Sequence, residues 1–159
     1  MEPKPKPQPV KPPEPVPQPE PGDKAEYAYV KVHATQGWQS SNLQFSSGDT
    51  LSISYHSGTW TGDIDGHKKG HPGGDAPHGP EGPASERVKA PTRYPLPGED
   101  ENCLIGRIGG GQPFYIGRQI SKPLTESGIL FMRMNDEDTG PGLGDNAGAV
   151  QMQVRLPRA

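Results

Sequence analysis

Tyr27-Ala-Tyr-Val-Lys-Val-His-Ala34 alternates apolar and polar residues with period two, and Leu51-Ser-Ile-Ser-Tyr55 does so more cleanly. The same rhythm or a short branched run returns at Cys103–Ile108, Pro113–Gly117, Ile129–Met134 and Val150–Leu156. Each run is bounded by Gly, Pro, Asn or Asp, and none carries a capped helical period, so each predicts a strand. Their lengths and spacings predict an all-β fold, a β-sandwich of about eight strands. In the last run the alternation predicts Val150, Met152, Val154 and Leu156 in the core, with Gln151, Gln153 and Arg155 in water.

Two segments interrupt the pattern. Residues 1–23 hold ten of the 21 prolines in a Pro-x-Pro rhythm. Such a stretch lacks backbone donors and apolar surface, which predicts a disordered, polyproline-like linker ahead of one domain over 24–159. A spacer implies something on its far side, so the expected context is a longer chain with further domains. The second segment, from Thr61 to Glu101, contains eight glycines, seven prolines and three of the five histidines. A loop of that length in a compact domain predicts either function or disorder.

Composition narrows the classes. Apolar residues make up 29% of the 159, and 22 glycines accompany them, which suits short strands joined by long loops. A net charge of -3 with no basic stripe argues against a nucleic-acid partner. No apolar run reaches the ~20 residues of a membrane helix, so no membrane insertion is expected. No signal-peptide core follows Met1. Either the chain is cytosolic or its export signal lies outside this sequence, and the spacer favours the second, a module of a larger secreted, periplasmic or cell-surface protein. Cys103 is the single cysteine and sits in an apolar run, which predicts a buried structural thiol.

The densest chemistry lies in Asn135-Asp-Glu-Asp-Thr-Gly-Pro-Gly-Leu-Gly-Asp-Asn146, between two expected strands. Four acids, two amides and three glycines fall within these twelve residues. Carboxylates, amide oxygens and freely turning carbonyls are what a hard cation such as Ca2+ takes, and acids this crowded repel one another without one.

In order and spacing, several features resemble the galactophilic, calcium-dependent lectin family typified by LecA of Pseudomonas aeruginosa. They are Val30-x-Val32-x-Ala34-Thr35-x-Gly37-Trp38, Gly48-Asp49-Thr-Leu-Ser-Ile53, Gly58-Thr-Trp60, Leu104-Ile-Gly-Arg-Ile-Gly109, Phe114-x-Ile116-Gly117, Gly128–Asp136 and Asp145-Asn146-x-Gly148. The resemblance covers roughly Tyr27 to Leu156, and its most specific part is the Asn-Asp…Asp-Asn-x-Gly module. It implies a jelly-roll-like, galactose-binding-domain-like sandwich that binds galactosides, or related sugars with vicinal hydroxyls, directly on a calcium ion.

Residue by residue, the resemblance implies calcium ligation by the side chains of Asp136, Asp145 and Asn146. It adds the backbone carbonyls of Asp63 and of Gly142, with Leu143 the neighbouring alternative. It implies sugar contacts from Asp136, Asp145, Asn146 and from His71 of His71-Pro72. The chain departs from the family in three places. Asp145 stands where the family has asparagine, which adds a formal charge to the ligand set. The loop is two residues longer, and Gly74 replaces a sugar-contacting glutamine. Those departures leave open a second expectation, an accessory domain in which calcium only pins the loop.

Other readings of these residues are weaker. His67, His71 and His78 lack the ligand set of a structural zinc. Asp63-Ile-Asp65-Gly66 opens like a helix-loop-helix calcium loop but lacks its later acids. Gly106-Arg-Ile-Gly-Gly-Gly111 precedes a strand rather than a helix and therefore reads as a hairpin turn. No Gly-x-Ser-x-Gly or His-Glu-x-x-His is present, and an open acidic turn does not raise a general acid's pKa, so no catalysis is expected. Trp38 and Trp60 are both expected in the core.

Overall fold

The computed structural model describes residues 25–62, 77–83, 88–138 and 142–157. Eight strands run β1 Tyr27–His33, β2 Gln39–Phe45, β3 Thr50–Thr61, β4 Leu104–Ile108, β5 Phe114–Tyr115, β6 Gln119–Pro123, β7 Gly128–Met134 and β8 Ala147–Arg155. They form two four-stranded antiparallel sheets, ordered β1-β8-β3-β6 and β2-β7-β4-β5. The expected all-β sandwich is what the chain forms. Among the described residues the one helical element is a single 3-10 turn, Gly142–Asp145, and no helix is long and apolar enough to cross a membrane.

The core lies between the sheets. Val32, Leu51, Ile53, Val150, Met152 and Val154 from one sheet meet Phe45, Leu104, Leu130, Met132 and Met134 from the other. Alternation places these residues inward because strand side chains project to opposite faces in turn. Leu156 departs from the expected pattern. It lies just past β8 and is only partly buried, with its N–H bonded to the Glu26 carbonyl at 2.8 Å.

Two strands carried little apolar signal. β2 has only Leu43 and Phe45 as apolar residues, and its pairing with β7 shifts between Ser40 and Gln44 beside Asn42, whose φ is 61°. β6 offers only Ile120 and ends on Pro123, as an edge strand can. β3 runs well past Tyr55. It bulges between Tyr55 and Ser57, then pairs with β8 through Gly58↔Val150 to Thr61↔Ala147. That extension depends on glycine on both partners. Gly58 (φ 90°) and Gly148 (φ 88°) would each put a Cβ 2.4 Å from a carbonyl of the facing strand. The result delivers Trp60 and Thr61 beside the start of β8.

The glycine run after β4 is the expected hairpin. Gly111 N–H bonds to Ile108 O at 2.9 Å, and β5 returns along β4 through Ile105↔Tyr115. Trp60 is core at 1% exposure. Trp38 is not. It is half-buried on the outer face of the second sheet, with the Arg107 guanidinium 4.5 Å from its ring centroid.

Candidate metal and sugar site

β7 ends at Met134, and the chain turns at once into Asn135 and Asp136, both fully buried. Asn135 is a staple. Its backbone pairs with Asn102 N–H and Cys103 O, each at 2.8 Å, and its side chain holds Leu96 N–H and the carbonyls of Leu96 and Asp100. With every amide function engaged in this way, Asn135 ties the 88–103 segment to the end of the sandwich.

Asp136 turns the other way. Its Oδ1 accepts the Glu137 N–H at 2.8 Å, and its carbonyl accepts Arg133 Nη2 at 2.8 Å. Arg133 is only 2% exposed although alternation points it away from the core. Its guanidinium also donates to Met134 O at 3.0 Å and grips the Asp138 carboxylate at 2.9 Å. One planar fork therefore fixes three successive features of the loop's first half.

At the far end of the loop, the 3-10 turn Gly142–Asp145 leads into Asn146, whose N–H bonds to Leu143 O at 3.2 Å. Asp145 and Asn146 are each 6% exposed. Asn146 Nδ2 donates to Ala34 O at 2.7 Å and approaches Met134 Sδ at 3.6 Å. Those contacts fix which way the amide faces. Its Oδ1 is buried and meets no hydrogen-bond donor. A desolvated amide oxygen without a donor costs roughly 1–3 kcal/mol, and a cation removes that cost.

Four segments meet at this end of the sandwich. Asn146 touches Met134, two residues before Asp136. Thr61 pairs with Ala147, and Gly62 lies against the Asn102 side chain, where a Cβ would come within 2.1 Å. Asn102 is fully buried with φ 68°, a left-handed conformation that asparagine tolerates better than most residues. Asp145 and Asn146 therefore lie at the same end of the sandwich as the turn from β7 into Asp136, and Gly62 closes the described part of β3's exit there. Asp63 and His71 lie outside the described residues. Gly142 and Leu143 share the single 3-10 turn.

The surroundings are acidic. Asp100, Glu101, Asp136, Glu137 and Asp145 are all buried or nearly so. Lys89 bonds Asp100 at 2.9 Å and Arg93 pairs with Glu137, while Arg133 is committed to Asp138. The field is visible at Tyr94, which is 4% exposed. Burial raises the pKa of its hydroxyl far above the usual value, and Glu101, Asp136 and Glu137 raise it further. Among the described residues no three His, Cys, Asp or Glu side chains stand together as a metal-ligand set. The donors gathered here are instead two carboxylates, an amide oxygen and nearby carbonyls, which are hard oxygen ligands.

The other candidates are structural. Cys103 is fully buried, and desolvation pushes its thiol up to about 12, so it is neutral and inert. His78 bridges Trp60 through two backbone bonds of 2.9 Å, with its Nδ1 2.8 Å from Gly79 O. His67 lies outside the described residues. Arg133, Asn102 and Tyr94 were not legible as site neighbours. Arg133 occupies an outward strand position, and the other two lie on a distant stretch with no motif.

No protein-family model matches the sequence, and no curated protein matches it either. Among solved structures, the chain is similar to the N-terminal domain of EclA, described as a PllA-like lectin. The likeness has a TM-score of 0.54 at 16% identity and covers 84% of this chain and 98% of that one. At this identity the two share a fold.

Proposed function

We propose that this chain is a non-catalytic, calcium-dependent carbohydrate-binding module that takes galactose or a related sugar through two neighbouring hydroxyls. The observation that carries the reading is the buried Asn146 Oδ1, which has no donor and lies at the same end of the sandwich as the buried Asp136 and Asp145. The side chains of Asp136, Asp145 and Asn146 would hold Ca2+ with the carbonyls of Asp63 and Gly142. The lectin fold of the structural neighbour supports the reading. So does the resemblance of the Asp136…Asp145-Asn146 module to the galactophilic family.

Bound calcium supplies coordination sites for neutral hydroxyl oxygens, because it accepts six to eight ligands in flexible geometry. The chain's own groups do the rest. Carboxylate oxygens of Asp136 and Asp145 accept hydrogen bonds from sugar hydroxyls. Asn135 and Arg133 hold the first half of the loop in place, so little ordering of that half accompanies binding. His71 would bound the outer side of the sugar. A single small polar ligand binds weakly, so useful strength comes from several modules on one tethered chain.

Titrating calcium into the chain by calorimetry tests the site. One saturable calcium per chain, lost in Asp136→Ala while the sandwich stays folded, is the expected result. Unchanged calcium binding by that variant would remove Asp136 from the site. Calcium binding with no sugar response across a panel of saccharides would favour an accessory domain whose ion only pins the loop.

A further inference from the structure

We propose that the outer face of the β1-β8-β3-β6 sheet is a second carbohydrate site, independent of calcium, that takes a carboxylate-bearing oligosaccharide. The register assembles it. Tyr29 on β1 faces Gln153 on β8, which faces Ser54 on β3, which faces Gln119 on β6. One step along, Tyr27 faces Arg155, and Ser52 faces Ser121. Large side chains stand on the β1 side of the face and serines occupy its middle, so the sheet is hollowed where Ser52 and Ser54 lie.

That hollow is a groove of about 470 Å³ bounded by Tyr27, Arg155, Gln119 and Ser121. A second groove of about 490 Å³ shares Ser52, Ser121 and Arg155 with it and continues past Asp49 to Pro157. Each falls within the ordinary range for ligand sites. Two confluent grooves suit a chain of sugars better than one ring. The site lies far from Asn146, since the seven residues from Asn146 to Gln153 span roughly 23 Å of extended strand.

The lining decides the ligand class. Most small-molecule pockets are apolar, whereas here the side chains are largely hydroxyls and primary amides. Serine and glutamine each donate and accept, which matches sugar hydroxyls that do the same. Tyr27 is 47% exposed, and its ring offers an apolar wall to a sugar face. Among the described residues the first groove holds one cation, Arg155, and no acid. Asp49, in the second groove, accepts the Ser46 N–H at 2.7 Å. A guanidinium over a neutral hydrogen-bonding floor, with no acid beside it among the described residues, selects a carboxylate, which it binds through a two-pronged fork. The floor is mostly hydroxyl and amide with only Ile53 and Ile120 between, which suits sugar hydroxyls better than a peptide's apolar side chains.

The test uses the full chain in chelator, with oligogalacturonate as the probe and its methyl ester as the uncharged control, followed by calorimetry. Binding of the acid form, undiminished in Asp136→Ala and weakened about tenfold or more in Arg155→Gln, is expected from loss of a charge-assisted contact. Ser121→Tyr, which fills the groove from an exposed edge position, should weaken binding without lowering thermal stability. Four outcomes would overturn the proposal: no binding in chelator, equal binding of the methyl ester, indifference to both substitutions, or concentration-dependent dimerisation abolished by Arg155→Gln.

Discussion

Replacing Asn146 by alanine separates a ligand from a structural amide, because the two roles respond oppositely to calcium. The substitution removes the Nδ2 bond to Ala34 O at 2.7 Å and leaves that carbonyl, on a fully buried residue, short of a donor. That loss costs about 1–3 kcal/mol. It also removes Oδ1, which is buried without a donor, and relieves a penalty of about the same 1–3 kcal/mol. In chelator the two nearly cancel.

In calcium they should not cancel, because the proposed ion would then satisfy Oδ1 in the parent. At calcium one hundred times its dissociation constant the parent gains about 2.7 kcal/mol. If the loss of one ligand weakens binding roughly a hundredfold, the variant gains only about 0.4 kcal/mol at the same calcium. The difference of about 2.3 kcal/mol corresponds to a fall of roughly 9 °C in Tm for a domain of this size, at about 4 °C per kcal/mol. Thermal melts followed by circular dichroism, in chelator and in calcium, read both numbers. An equal change of Tm in the two buffers would refute the reasoning, since Asn146 would then act only through Ala34.

Arg133→Lys should weaken calcium binding in calorimetry while the chain stays folded, because one ammonium cannot span Met134 O, Asp136 O and the Asp138 carboxylate together. Gly148→Ala should cost about 2 kcal/mol or more in denaturant melts, since it combines a positive φ with a Cβ 2.4 Å from Thr59 O. Stability should also fall with alkali. The Cys103 thiol keeps its proton to about 12 in the folded chain, while an unfolded thiol releases it near its model value of 9.0. The unfolded state therefore binds fewer protons between those values, and stability drops as pH rises through that window by at most about 1.4 kcal/mol per pH unit from this group. Cys103→Ala should lessen that slope in melts between pH 8 and 10.

The strands with large inward residues were legible because burial on one face writes period two into the sequence. β8 shows it best, with Val150, Met152 and Val154 all fully buried. β2 and β6 were not legible, for different reasons. β2 is interrupted by a register shift and a left-handed asparagine, while β6 is an edge strand with a single apolar residue. The second half of β3 was hidden because Gly58 and exposed polar residues carry it. The loop from Asn135 to Asn146 stood out because both its flanks are strands. What surrounds it did not, because Asn102 and Ala34 reach it through hydrogen bonds between distant segments and Tyr94 only through the field of its acids. Trp38 was misplaced because alternation does not report that an arginine will cover an outward ring.

The most direct test of the central claim is calorimetry of galactose into the chain, first with calcium and then after chelation. The account predicts a saturable heat with calcium that vanishes on chelation and is absent in Asp136→Ala. Galactose binding that persists undiminished after chelation would contradict it.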